Sequence, residues 1–200
     1  MGRIAYNKSS LKRERDQLSL YEQYLPSLDL KRQQLLLELK KARQAQAEVR
    51  ETMEELRRRA DDWLPLLAKR SLDVSGLVTV EQIQVGEQNL LGVRLPVLDK
   101  VEVAIKDYSF LSKPHWVDTL VQALAEMVRL RLQMQVLERR SRLLAAALRT
   151  VTQRVNLFEK ILIPDTKDSI RKIRLALADK ERAGVIRSKL AKAKHLERRA

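Results

Sequence analysis

Stepping along the chain by fours and threes from Leu130 meets Met134, Leu137, Ser141, Leu144, Leu148, Val151, Val155, Phe158 and Leu162. Only the serine is polar. A mean spacing of about 3.5 residues keeps such positions along one side of a slightly supercoiled helix. A line this narrow cannot enclose a core alone, so it requires a matching line on another helix. The N-terminal segment supplies one, through Leu11, Leu18, Tyr21, Leu25, Leu28, Leu35, Leu39, Ala42, Val49, Met53, Leu56, Ala60, Trp63 and Leu67. Glu14, Arg32 and Gln46 are the polar interruptions. As one helix this segment spans roughly 85 Å, with Pro26 expected to bend or loosen it.

Composition agrees with a long-helix protein. Aromatics are 4% and charged residues 33%, with only five glycines and five prolines, too few turns and rings for a broad globular core. Without cysteine there is neither a disulfide framework nor a thiolate metal site. His115 and His195 stand far apart and read as surface residues. No apolar run approaches the roughly 18 to 20 residues of a membrane span, and the first residues lack a signal core. The expectation is a soluble, cytoplasmic chain. Its net charge of +14 favours anionic partners: nucleic acid, a lipid surface or an acidic protein cavity. From Lys180 to Ala200 eight Lys or Arg stand against two Glu.

Between about residues 71 and 114 the helical period lapses. This stretch holds Gly76, Gly86, Gly92, Pro96 and Pro114, and the runs 77–80, 91–95 and 101–105 are β-branched or alternating. The pattern predicts a β-hairpin with Gly86–Asn89 at or near its turn, followed by a loop or short strand. The expected architecture is therefore mainly α: a long antiparallel two-helix coiled coil with a small β-hairpin head. The N-terminal shaft helix takes residues 1–70, the head 71–114, and a C-terminal shaft helix with a basic tip 115–200. That helix is expected to start near 114–117 and to break or bend at Pro164. Asn7, Ser9 and Ser10 are candidate caps for the first helix.

An antiparallel pair has a definite register. If residue 70 faces residue 117, Pro26 faces position 161 and Pro164 faces position 23, so both prolines lie at one height and predict a shared bend or loosened turn. Leu11 then faces position 176, and everything beyond about 186 overhangs as a lone basic helix. Lys31 falls opposite Asn156, which suggests an interhelical polar layer there.

Catalytic chemistry is not legible. There is no GxxxxGK[ST] loop, no HExxH and no Ser/His/Asp set, and Glu54–Glu55 and Asp61–Asp62 sit in charged helical runs that read as solvated faces. A two-helix hairpin offers no large pocket. The chain reads as a non-enzyme with no cofactor and no metal. Nucleic-acid binding is disfavoured because aromatics are scarce, with Tyr108, Phe110 and Trp116 around the head, and because basic residues alternate with acids. Membrane-surface binding is disfavoured because the C-terminal helix has Ile186 and Leu190 but no Trp or Phe anchor. A basic coiled-coil scaffold binding nucleic acid or anionic membrane remains the alternative.

Several local groups are more specific than seam filler. Arg154-Val155-Asn156-Leu157-Phe158-Glu159, then Ile163-Pro164, Ile170, Ile173, Leu177 and Lys180-Glu181-Arg182, resemble the RVNALE…IP…I..I…L…ER pattern of the D-subunit family of V-type (or archaeal-type) ATPases. Asn7-Lys8-Ser9-Ser10-Leu11 and Leu30-Lys31-Arg32 resemble its N-terminal elements, and Leu91-Gly92-Val93 with Pro96 its head segment. Phe158, Pro26 and Ala183-Gly184 depart from the pattern.

The resemblance implies a central rotor axle that transmits torque between a hexamer of A and B subunits and a membrane ring moving protons or sodium, in ATP hydrolysis or synthesis. It further implies an F subunit packed on the coiled coil, a funnel-like subunit at the shaft base, peripheral attachment on the cytoplasmic face without membrane insertion, and no nucleic-acid partner. The candidate partner contacts are Lys8, Leu11, Lys31, Arg32, Gly86, Gly92, Pro96, Arg154, Asn156, Glu159, Pro164, Glu181 and Arg182, with Arg187, Lys189, Lys192 and Lys194 on the basic tip. The hairpin, with Gly86 to Leu95 its exposed portion, is expected either to influence turnover or merely to close the helical hairpin.

Overall fold

A computed structural model describes residues 5–61, 76–106 and 116–197. Expectations for Trp63, Leu67, Tyr108, Phe110, Pro114 and His115, and for the last three residues of the tip, lie outside these.

Helix α1 (Lys8–Asp61) contains no glycine and one proline. Asn7 caps it: its side-chain oxygen accepts the Ser10 N–H at 2.6 Å and its carbonyl accepts the Leu11 N–H at 3.1 Å, satisfying donors that a helix start leaves without intrahelical partners. Pairs one turn apart, Asp29–Arg32 at 2.6 Å and Glu38–Lys41 at 2.9 Å, add the small support of neighbouring opposite charges. Strands β1 (Val78–Leu90) and β2 (Val93–Ile105) pair antiparallel. Helix α2 (Trp116–Leu157) is followed by a π-helical turn (Phe158–Leu162) and helix α3 (Ile163–Glu197). Contacts divide the chain into two units, Met1–Arg32 with Thr150–Ala200, and Gln33–Arg149.

In the Gln33–Arg149 unit, the buried α1 residues Leu35, Leu39, Ala42 and Val49 and the α2 residues Leu130, Met134 and Leu144 all come from the two expected apolar lines. Val49 packs on Leu130 and Met134, with Met53, Leu56 and Leu137 around them. Gln46 and Ser141, each a polar interruption of its line, meet. The Gln46 amide donates to the Leu137 carbonyl and to the Ser141 hydroxyl, both at 2.8 Å, and that hydroxyl donates to the Glu138 carbonyl at 3.0 Å. The expected register puts 46 opposite 141, which is the pairing observed.

The hairpin corrects the sequence reading. Its turn is Leu91-Gly92, not Gly86–Asn89. Both turn residues have positive φ, 53° and 81°, the twist that a two-residue hairpin loop demands, and the Asn89 side chain accepts the Gly92 N–H at 3.0 Å. Gly86 lies mid-strand opposite Val97, where a Cβ would collide with the Asp99 carboxylate. Residues 101–105 belong to β2 rather than to a separate loop or strand. The ladder slips once at Glu81 in β1 and once at Asp99 in β2, so one bulge in each strand restores the register.

A two-stranded ribbon is marginal by itself. Here its base packs through Leu77 and Val78 on Trp116, Val117 and Val121, while near the tip Gln88 accepts a hydrogen bond from Arg140 at 3.0 Å. The hairpin therefore runs back alongside α2. Leu95, expected to be exposed, is fully buried.

In the other unit α1 and α3 are joined by Glu22–Lys167 at 2.9 Å and by the Lys180 ammonium donating to the Tyr6 carbonyl at 3.2 Å. The expected register places 22 opposite 165 and 6 opposite 181, within two residues of both contacts. Val151, Val155, Ile170 and Ile173 are buried, as expected of the seam. Pro26 and Pro164 break neither helix. A loosened turn does occur at their common height, where the Ile163 N–H bonds back to the Phe158 carbonyl, five residues earlier. Proline lacks an N–H and its ring crowds the carbonyl four residues before it; the wider turn just ahead of Pro164 accommodates both facts. Phe158 packs edge-on against Tyr21, ring centres 5.3 Å apart. Thr166 takes the next seam position, buried, its hydroxyl bonded to the Leu162 carbonyl at 2.6 Å. No hydrogen bond or ion pair joins Lys31 to Asn156 among the described residues. The polar layer is at Gln46 and Ser141 instead.

Candidate functional site

The sequence-derived residues fall into separate surfaces rather than one site. The first lies where the two ends of the chain meet. Lys8, Leu11, Lys12, Arg15 and Asp16 of α1 and Arg174, Leu177, Ala178 and Glu181 of α3 line a shallow open groove. Three expected contacts, Lys8, Leu11 and Glu181, are thus brought together from opposite termini.

Past Lys180, α3 carries the basic tip. Arg187, Lys189, Lys192 and Lys194 are exposed and form no ion pair among the described residues. Val185, Ile186 and Leu190 are also exposed, because the antiparallel register leaves no described segment of α1 to face them. Arg182 is spoken for by Asp179 at 3.8 Å.

The second surface surrounds the π-turn. Arg154, Glu159 and Pro164 are exposed and Asn156 is half-buried. Lys31 is half-buried, and Arg32 is held by Asp29. On the hairpin, Gly92 is exposed at the turn while Gly86 and Pro96 are partly covered within the strands.

Sequence reasoning missed one exposed feature. In the run Leu35-Leu36-Leu37 only the first leucine enters the seam; Leu36 and Leu37 are 57% and 58% exposed. Three consecutive leucines on a helix cannot all face one partner line, so the signal was available. Among the described residues no group of three or more His, Cys, Asp or Glu is placed to hold a metal, and no helix is long and apolar enough to cross a membrane.

Comparison with known proteins gives a match over nearly the whole chain. The family model for the D subunit of ATP synthase matches residues 10–193. The chain is similar to the V-type ATP synthase D subunit of Borreliella burgdorferi, 31% identical over 96% of this chain and 95% of that protein. It is similar to that of Chlamydia muridarum, 34% identical over 96% and 95%, and to that of Chlamydia abortus, 34% identical over 98% and 95%.

Proposed function

We propose that this chain, which belongs to the ATP synthase D-subunit family, is the non-catalytic central-stalk rotor axle of a V-type ATP synthase. As a component of that complex it takes part in ATP-coupled ion transport. On this reading its paired helices transmit torque between a catalytic hexamer of A and B subunits and the membrane ring that moves protons or sodium. The supporting observation is a match that spans both terminal helices and the hairpin, together with a polar pin, Gln46–Ser141, that fixes how the helices pair. A torque-bearing element needs such a fixed register, because a sliding seam would dissipate a twist instead of passing it on.

The three segments take separate tasks: a shaft helix over 1–70, a head over 71–114 and a second shaft helix with its basic tip over 115–200. The tip, with Arg187, Lys189, Lys192 and Lys194, enters the axial cavity of the hexamer and meets acidic lining there. The F subunit docks on the paired helices, where Leu36 and Leu37 offer uncovered apolar area, and a funnel-like subunit joins the base to the ring. The complex sits peripherally on the cytoplasmic face of the membrane.

A pull-down of the tagged chain from its native cells in mild detergent, after nuclease treatment, tests the reading. Recovery of two nucleotide-binding ATPase subunits and a small stoichiometric partner is expected. Recovery of the chain alone, with binding restored only by nucleic acid or anionic lipid, overturns it in favour of a basic scaffold. Neutralising the four tip cations together is expected to weaken hexamer assembly; unchanged assembly rejects the acidic-lining argument.

A further inference from the structure

The hairpin has two edges, and they are unlike. The β2 edge is blunted. Pro96 sits opposite Glu87, Asp99 bulges, Lys100 is exposed, and residues 101–104 are partly covered. These are the devices by which natural sheets close an edge to further pairing. The β1 edge carries a bulge at Glu81 and two exposed glutamates but no proline and no cation. Its 13 residues include no Pro, Lys or Arg, and its outward backbone groups bond to no other element among the described residues.

The side chains along that edge are also uncovered. Facing residues of an antiparallel pair share one side of the ribbon, so Val80 with Val103, Ile83 with Val101 and Val85 with Leu98 form one aliphatic face. On β1 those residues are 41%, 46% and 50% exposed. In a chain of net charge +14, β1 is locally acidic: Glu81 and Glu87 are exposed and form no ion pair among the described residues.

We propose that the open edge of β1 takes up an extended strand from a partner protein, with aliphatic side chains at alternate positions facing Ile83 and Val85 and a Lys or Arg at the next position on that same face, where Glu87 lies. Main-chain bonds to the outward amides supply the affinity, and the aliphatic face with Glu87 at its end supplies the selection. A second copy of this chain fits less well, because pairing β1 with itself sets Glu81 and Glu87 against like charges.

The partner is sought within the ATP synthase, so in that respect the inference rests on the proposed rotor role; the peptide experiment below is independent of it. Hydrogen exchange is followed in the full chain titrated with the octapeptide Thr-Thr-Lys-Thr-Val-Thr-Val-Thr, whose lysine and two valines share one face and, in antiparallel pairing, meet Glu87, Val85 and Ile83. The amides of Val85, Glu87 and Asn89 alternate along the edge away from β2, counted from the Leu90–Val93 pair that closes the turn. They are expected to slow at least tenfold and saturably.

Glu87→Pro removes one outward N–H, as Pro96 does on β2, and is expected to abolish the slowing with an unchanged circular dichroism spectrum; Glu87→Ala retains the slowing. Absence of protection, equal protection by the same octapeptide with glutamate in place of lysine, or an unaffected Glu87→Pro variant overturns the proposal. The same amides are then read in the purified complex. Fast exchange there overturns the proposal and leaves the rotor reading standing, whereas a chain that never joins the complex overturns the rotor reading and leaves the peptide result to decide. Concentration-dependent protection of the isolated chain assigns the edge to a second copy and overturns a foreign strand.

Discussion

Gln46 is the residue on which helix register can be tested most directly. Its amide makes two 2.8 Å hydrogen bonds across the helix pair, each contributing about 1 kcal/mol net. Gln46→Ala is therefore expected to lower unfolding stability by about 1–2 kcal/mol. Gln46→Leu loses the same bonds but adds half-buried apolar area, which returns about 1–2 kcal/mol, so its stability stays within about 1 kcal/mol of wild type. The two variants differ more in register.

Sliding the wild-type helices by one heptad brings Gln46 against apolar neighbours, at a desolvation cost of about 1–3 kcal/mol. With leucine that guard is gone, and a change of one or two kcal/mol is about a 5–30-fold change in population. Because the chain has no cysteine, introduced pairs report register without background. Val49→Cys with Met134→Cys marks the observed pairing, and Val49→Cys with Met127→Cys marks the slipped one. Gln46→Leu is expected to raise the ratio of slipped to native disulfide about 5–30-fold under mild oxidation. A ratio unchanged within about twofold, against a measured stability near wild type, refutes the register-pin argument.

Three further outcomes follow from the packing. Leu144→Ala, at a fully buried seam position, should cost about 2–5 kcal/mol in urea unfolding, while Leu175→Ala, 64% exposed, should change stability by less than about 0.5 kcal/mol. Gly86→Ala turns the exposed Asp99 carboxylate aside and removes a mid-strand glycine that costs about 0.5–1 kcal/mol relative to alanine, so stability should stay within about 1 kcal/mol of wild type; a loss of more than about 2 kcal/mol in urea unfolding would show that the carboxylate is held in place. Pro164→Ala, at a position the wide turn already accommodates, should change stability by less than about 1 kcal/mol; a gain of more than about 2 kcal/mol in urea unfolding would show that the wide turn is not the accommodation described.

Legibility follows the range of the interactions. Leu35, Val49, Leu130, Leu144 and Ile173 can be read from spacing alone, because a helix face is a local property of sequence. Gln46 and Ser141 are visible as interruptions, and an antiparallel register is enough to bring them together. The hairpin turn is misread when glycine at position 86 serves as its marker. There glycine lies beside the exposed Asp99 carboxylate, whose position depends on a bulge in the other strand. Leu95 and Val117 are not foreseeable as core because their burial depends on the ribbon lying back along α2, a contact between segments distant in sequence. Thr166 is missed because the π-turn inserts a residue, so stepping by fours and threes no longer lands on it. The candidate contact residues are legible only as a family pattern; exposure and charge show which of them are available, and periodicity carries nothing about what they meet.

The inserted residue has a genetic consequence. Elsewhere along a paired helix, deleting a single codon rotates every later side chain by about 100° and carries the downstream apolar line out of the seam. Between Phe158 and Leu162 the helix already holds one residue more than an α-turn needs. Losing one there lets the turn contract to α-geometry while Ile170 and Ile173 stay in the seam. Length variation by one residue within the paired helices should therefore be tolerated at this turn, and a library of single-codon deletions should recover folded protein there far more often than at Leu35 or Leu144.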